Sequence, residues 1–343
     1  FHIDALRLDA IHEIKDDAAA AATPQRHVLA ELSDAVAALS IELGRPLSLV
    51  AEADLNDVGV ITPTSEEPPA KVPSLGMTAQ WADDVHHALH VRLTGEDQGY
   101  YGDFAEVGAW AKAYGRAFLH NGTWSTFRER NWGAPVPEDT DPRRFVVFGS
   151  DHDQVGNRAV GDRPSVILDD AALAATAALV LLSPYTPMLF MGEEWGTRTP
   201  FQFFTDHEED DLARSVSEGR VREFAGFGWD ADEIPDPQAA ATVEASRLRW
   251  SELDEAEHAR VLAWYQALTT LRRNLDWSQR TAWPQVDEID DVLMVTYDDI
   301  VVAANLSGQE RPAPALSTVL LSWDPFDAAA PSLSPGQTLI ARR

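Results

Sequence analysis

Short apolar runs alternate with longer stretches of helical spacing through about residue 280, which is the pattern of βα units. Strands are expected at residues 3–8, 47–52, 77–81, 145–148 and 188–191. Helices are expected at 24–43, 84–93, 102–119, 169–182 and 255–273. Farther on, apolar segments at 292–297, 300–305, 319–323 and 338–341 are short and separated by turn residues, so they predict an antiparallel sheet. Five strands fall short of the eight that close a (β/α)8 barrel, a fold of about 250 residues. Polar residues nevertheless gather where these strands end, and that rim carries the catalytic groups of such barrels. The expected fold is α/β: barrel strands four to eight over residues 1–278, then a small β-sandwich-like domain over 279–343. The chain begins with Phe1, directly on what reads as a buried strand, and is expected to be a piece whose opening strands lie elsewhere.

Composition narrows the function. Of 343 residues, 56 are acidic and 27 basic, a formal net charge of −29. Such a surface repels phosphate backbones and anionic membranes, whereas a neutral substrate such as a glucan meets no such barrier. There is no cysteine, which excludes disulfides, thiol nucleophiles and thiolate metal sites. The apolar run 171–182 is too short to span a bilayer, so the cytoplasm is the expected location. The sequence carries no signal for an oligomeric state.

Four strand ends hold the candidate chemistry. In Leu6-Arg7-Leu8-Asp9, the strand period of two puts Arg7 and Asp9 on one face. An arginine there keeps the carboxylate ionised and oriented, as a glycosidase nucleophile requires; a structural ion pair is the competing explanation. Glu52 follows the apolar run 49–51. It is expected among apolar neighbours that raise a carboxyl pKa towards the range of a general acid, unless it merely opens a helix. Asp151-His152-Asp153 suits stabilisation of oxocarbenium charge or binding of sugar hydroxyls, with a divalent-metal site as the alternative. Trp81 beside Asp83 is a pairing that can stack and hydrogen-bond a sugar, or simply a helix start with its cap. His86 and His90 have the helical spacing of zinc ligands, but position 87 is His, so the metalloprotease pattern fails. Glycoside hydrolysis needs two carboxylates across the scissile bond, and these strand ends supply them.

The order RLDAIH, AEADLND, SDHDQVGNR, FMGEEWG resembles the ordered regions of the α-amylase superfamily. The stretches 79–104 and 182–207, with SEGRVREFAGFGW and IPDPQAAATVEASRLRW after them, resemble the maltooligosyltrehalose trehalohydrolase family. The resemblance covers most of residues 1 to about 275. It implies a retaining hydrolase that cleaves the α-1,4 bond next to the terminal trehalose of a maltooligosyltrehalose, and it implies no metal or cofactor. It further implies Asp9 as nucleophile, Glu52 as general acid/base and Asp153 as transition-state stabiliser beside His152, with Arg7 orienting Asp9. His12, Asp54, Trp81 and Asp83 fall in motifs that line the substrate cleft, as do His86, Gln154 and Asn157. The family usually has Asn where this chain has Asp151, and the extra carboxylate is expected to favour protonation of it or of Asp153 and either to lower the pH optimum or to weaken substrate contacts. A glycogen-branching transferase shares the catalytic trio, and the two long stretches speak against it. A glucan-binding protein without catalysis typically lacks one of the acids. An inactive fragment is the third alternative.

Overall fold

In the computed structural model of the chain, residues 2–16, 26–69, 71–225, 230 and 233–343 are described. The first half contains β1 (Ala5–Leu8), α1 (Val28–Leu43), β2 (Ser48–Ala51), β3 (Ala79–Trp81), α2 (Asp83–Thr94) and α3 (Ala109–Arg116). A hairpin of β4 (Thr123–Ser125) and β5 (Arg130–Trp132) precedes β6 (Phe145–Phe148). Then come α4 (His152–Gly156), α5 (Pro164–Ile167), α6 (Asp170–Leu181), β7 (Thr186–Met188), α7 (Asp210–Ala225), α8 (Ala240–Ala245) and α9 (Ala256–Asn274).

The main sheet has the order β1-β2-β3-β6-β7, and each neighbouring pair is parallel. Every crossover therefore steps in the same direction, which leaves the helices on one face. That is an arc of a (β/α)-type barrel and differs from a doubly wound sheet, whose strand order reverses at a switch point. The strand period sorts the side chains accordingly. Phe145 and Val147 join the large core beneath the helices. Val146 and Phe148 face the other way and pack with Ala79, Trp81, Val50 and Met188 in a small cluster on the inner face.

Local chemistry sets the helix limits. His27 Nδ1 accepts the Leu29 N–H at the start of α1, and Gly44, at φ 62°, closes it in the left-handed conformation that glycine adopts freely. Positions 24 and 25, the expected beginning of this helix, lie outside the described residues. Asp169 caps α6 through the Ala172 N–H.

Two expected elements are corrected. The helix at 102–119 is split: residues 99–105 form 3-10 turns, and Gly108 at φ 85° breaks the chain before α3 begins. The strand at 188–191 instead ends at Met188, paired with Phe148. Beyond it the chain turns towards Gly192 (φ 91°), and the Met191 carbonyl accepts from Arg163 Nη1 rather than from a strand.

The second sheet is antiparallel. Its strands are β8 (Gln285–Ile289), β9 (Val292–Tyr297), β10 (Ile300–Asn305), β11 (Arg311–Pro312), β12 (Thr318–Ser322), β13 (Ser332–Leu333) and β14 (Thr338–Arg342). Five of them run in the order β12-β14-β10-β9-β8, and β11 pairs with β13. β8 escapes a reading by pattern because an exposed edge strand has polar positions on both faces. Leu293, Val295, Tyr297, Val302 and Ile340 belong to the same core as the helices. The Tyr297 hydroxyl donates to the Tyr114 hydroxyl at 3.3 Å, and the latter donates to the Leu179 carbonyl at 2.6 Å, so β9, α3 and α6 are joined across the interface.

Candidate active site

The inner face of the sheet ends in polar residues because the strand parity continues past each strand. Arg7 is the register partner of Val50, so Asp9 and Glu52, two positions farther on, emerge side by side. Glu52 is fastened to the end of β1 at three points. Its N–H donates to the Leu8 carbonyl (2.9 Å), its carbonyl accepts the Ile11 N–H (3.1 Å), and its Oε2 accepts the Ala10 N–H (2.5 Å). Ala10 sits at φ 40°, a left-handed conformation uncommon outside glycine, and this turn aims its N–H at the carboxylate.

Arg7 stands between the two acids. Its Nη1 donates to Asp9 Oδ1 at 2.5 Å, and its Nη2 lies 3.9 Å from Glu52 Oε2. The guanidinium carbon is 4.4 Å from the centre of the Trp81 ring. Trp81 meets Phe148 and His152 edge-on, with centroids at 5.4 and 6.2 Å. Two expectations change here. The nearest partners of Glu52 are polar rather than apolar. Trp81 is buried beneath Arg7, so it offers a seat for the cation instead of an open face for a sugar.

On the far side, Asp151 opens α4 with a capping box. Its Oδ1 accepts the N–H groups of Asp153 and Gln154 at 2.8 and 3.1 Å, and Gln154 Oε1 accepts the Asp151 N–H at 3.2 Å. Burial raises the Asp151 carboxyl above the usual carboxylate range. His152 Nε2 lies 3.5 Å from Asp153 Oδ1, and both side chains are about half exposed (43% and 53%), as a group awaiting a ligand would be. Asp9 is open as well, at 76%. Asn157 caps the end of α4 and is exposed.

Asp83 opens α2. Burial, reinforced by the charges of Asp151, Glu52, Asp84 and Asp54, pushes its carboxyl well above the usual range. The neighbouring Asp84 is structural. Its Oδ2 accepts from Asn56 Nδ2 (2.8 Å), the Leu119 N–H (2.7 Å) and the His120 N–H (3.3 Å), and burial raises it to about 6. Asp54 is ion-paired to Arg128 of the β4–β5 hairpin. His12 follows on a single 3-10 turn with its Nδ1 buried. His86 is the clearest departure from expectation. It is 1% exposed, its Nδ1 bonds the Gly149 carbonyl at 2.8 Å and its ring stacks on Phe148, so it supports the end of β6 from below rather than lining a cleft.

Asp151, His152 and Asp153 each present one ligand atom within 4.8 Å of the others, as do Glu255, Glu257 and His258. In the first trio Asp151 Oδ1 is committed to the helix cap, and in the second His258 Nδ1 is bonded to the Trp195 carbonyl. Arg128 and the Glu96–Arg158–Asp162 network beside His90 also border this region, with Arg158 bidentate on Glu96 at 2.8 and 3.1 Å. The Arg158–Glu96 and Arg128–Asp54 pairs join positions 62 and 74 residues apart, which no local sequence signal reveals.

The chain is 45% identical over 342 residues to a malto-oligosyltrehalose trehalohydrolase from Arthrobacter ramosus, covering 99% of this chain and 57% of that protein. It is 44% identical to one from Mycobacterium tuberculosis (94% and 55%) and 38% identical to one from Saccharolobus solfataricus (80% and 43%). The chain thus spans about half the length of these relatives. A crystal structure of a Salmonella typhimurium protein described as an α-amylase superposes with a TM-score of 0.85 at 34% identity, over 99% of this chain and 57% of that one. A cyclic α-maltosyl-(1→6)-maltose hydrolase from Arthrobacter globiformis shares the fold at a TM-score of 0.54 and 13% identity, over 99% and 56%. No family model matches the chain.

Proposed function

The chain belongs to the malto-oligosyltrehalose trehalohydrolase family, and from that premise we propose that it carries the catalytic carboxylates of a retaining glycoside hydrolase acting on maltooligosyltrehalose. The observation that carries this reading is the Arg7 guanidinium between Asp9 and Glu52.

The α-1,4 bond next to the terminal trehalose is the one cleaved. Glu52 protonates the glycosidic oxygen, the C1–O bond breaks and trehalose leaves, while Asp9 forms a bond to C1 from the opposite face. Glu52, now a carboxylate, takes a proton from water as it attacks C1. The Asp9–C1 bond breaks, and the shortened maltooligosaccharide departs. Retention calls for carboxyl groups about 5–5.5 Å apart, and a shared arginine suits that spacing. Arg7 keeps Asp9 ionised and aimed, and Asp153 with His152 stabilises the positive charge that develops on the sugar ring. Asp54, Asp83, His12, Gln154 and Asn157 border the space in which the glucan would lie. No cofactor is needed for this chemistry.

Residues 1–278 form the catalytic unit in this reading and 279–343 its β domain. Among the described residues no helix is long and apolar enough to cross a membrane, and we place the protein in the cytoplasm. The test is incubation with maltotriosyltrehalose and chromatography of the products. Trehalose and maltotriose in equal amounts are expected; a transfer product with a new branch, or glucose released from the other end, would overturn the assignment. Activity of the 343-residue chain and of a version extended to the length of its relatives are compared in the same assay.

A further inference from the structure

Among the described residues, two buried carboxyl oxygens at neighbouring strand ends have no hydrogen-bond partner: Asp83 Oδ1 and Asp151 Oδ2. β3 and β6 are adjacent, and the Ala82 N–H, one residue before Asp83, donates to the Val146 carbonyl at 2.9 Å. The start of α2 and the cap of α4 therefore rise from the same edge of the sheet. Asp151 is 2% exposed, and its Oδ1 already holds two N–H groups of α4, which leaves Oδ2 as its one uncommitted atom. A buried carboxylate oxygen without a donor is costly, and two of them near each other are costlier still.

We infer that one proton, held on Asp83 Oδ1 and donated to Asp151 Oδ2, links the two carboxyls, so that Asp151 is a positioning residue that fixes Asp83 at the floor of the cleft. One added proton between them would satisfy both orphaned oxygens and remove one of two neighbouring charges, as in a carboxyl pair that titrates as a unit. The surroundings point the same way. Of the charges that act on Asp83, that of Asp151 is the largest, followed by Glu52, Asp84 and Asp54, and all are negative. From α4, Asp153 opposes ionisation of Asp151 and His152 favours it; from residues 99–105, Tyr100 feels both Asp83 and Asp151. Arg7 and Arg128 are engaged by Asp9 and Asp54 respectively. For catalysis the inference rests on the proposed hydrolase reading; the shared proton itself does not.

The experiment compares melting temperatures of the 343-residue chain, Asp151→Asn and Asp83→Asn from pH 4 to pH 8. The asparagine at 151 keeps the capping oxygen and presents an N–H to Asp83, but it cannot ionise, so the charge that opposes ionisation of Asp83 is gone. Because the proton is held in the folded state above the ordinary carboxylate range, its contribution is present at acid pH and is lost as pH rises. The unsubstituted chain should match Asp151→Asn near pH 4 and fall below it by about 3 °C or more at pH 8. Asp83→Asn, which also leaves a single carboxyl, should flatten the curve likewise and decides the matter if Asp151→Asn does not fold. Curves that run parallel at all pH values would overturn the inference, since a purely structural effect has no pH dependence. In the trehalose-release assay, the alkaline limb of Asp151→Asn should lie at higher pH than that of the unsubstituted enzyme; identical profiles would count against a positioning role. Absence of trehalose from every variant sinks the proposed function and leaves the melting comparison to judge the pair.

Discussion

The guanidinium of Arg7 lies 4.4 Å over the centre of the Trp81 ring, so the cation that faces Asp9 and Glu52 is itself seated on an aromatic surface. The indole face favours the charge and restricts the plane of the guanidinium. Phe148 and His152 in turn pack against the edges of that ring. The orientation of the two acids thus depends on residues from four strand ends.

Replacing Arg7 by Lys keeps the charge and loses the planar fork that reaches both carboxylates. Turnover is expected to fall about 100-fold with little change in KM, the scale of a reacting group displaced by an ångström. Steady-state kinetics of trehalose release measure it; a change of less than threefold would mean that Arg7 does not orient Asp9.

Asp9→Asn and Glu52→Gln are each expected to lower turnover by at least about 10³-fold, since in the proposed mechanism the nucleophile and the acid/base act in series. In Glu52→Gln the amide oxygen can still accept the Ala10 N–H, so the melting temperature should be preserved. An active Glu52→Gln enzyme would transfer the acid/base role to another residue.

Burial raises the Glu193 carboxyl to about 8, against hydrogen bonds from the Phe190 N–H (3.0 Å) and the Tyr265 hydroxyl (3.3 Å). A carboxyl with a raised folded-state pKa contributes stability that is complete below its unfolded value near 4.5 and is lost as pH rises through about 8. The loss is on the order of 5 kcal/mol. Glu193→Gln should therefore melt higher than the parent at pH 9 and no higher at pH 4. Equal differences at both pH values would refute the linkage.

Gly133 has φ 70°, and a Cβ there would lie 2.0 Å from the His120 carbonyl oxygen. Gly133→Ala is expected to cost roughly 3 kcal/mol from strain and overpacking. It should also disturb the loop that carries Asp54, because Ala134 N–H donates to the Asn56 carbonyl at 2.9 Å. Chemical denaturation reads the first effect and KM the second. An unchanged midpoint would show that the hairpin can shift at no cost.

β1 is an edge strand, and Leu6 on its helix-side face is 49% exposed. Unpaired edges invite association, so the 343-residue chain should self-associate with rising concentration. Leu6→Lys should reduce this in light scattering. A monomer at every concentration would show that the edge is protected.

Much of the local architecture is written in the periodicity of the chain. Runs of mostly apolar residues mark β6, β9 and β10 with the bounds 145–148, 292–297 and 300–305 that the structure shows, and a strand period of two sorts their faces. The same period puts Arg7 with Asp9 on one face, since two positions on one strand need no knowledge of the neighbours. Strands that end early, such as β7, and edge strands with polar faces, such as β8, carry a weaker pattern. What limits them is a turn or exposure set by the rest of the fold.

The sequence by itself determined the strand-and-helix alternation, the split into a parallel and an antiparallel sheet, and the strand ends on which the acids stand. Only the tertiary structure decided what each acid faces. Glu52 meets the Ala10 N–H and Arg7 because β1 and β2 pair in one register. Arg7 covers Trp81, Asp84 ties Asn56 to His120, and Arg128 reaches Asp54 across 74 positions of chain. Periodicity reports which face of its own element a residue occupies. The partner across a gap is chosen by strand order and by how the loops close, and neither is carried by the residues next to it.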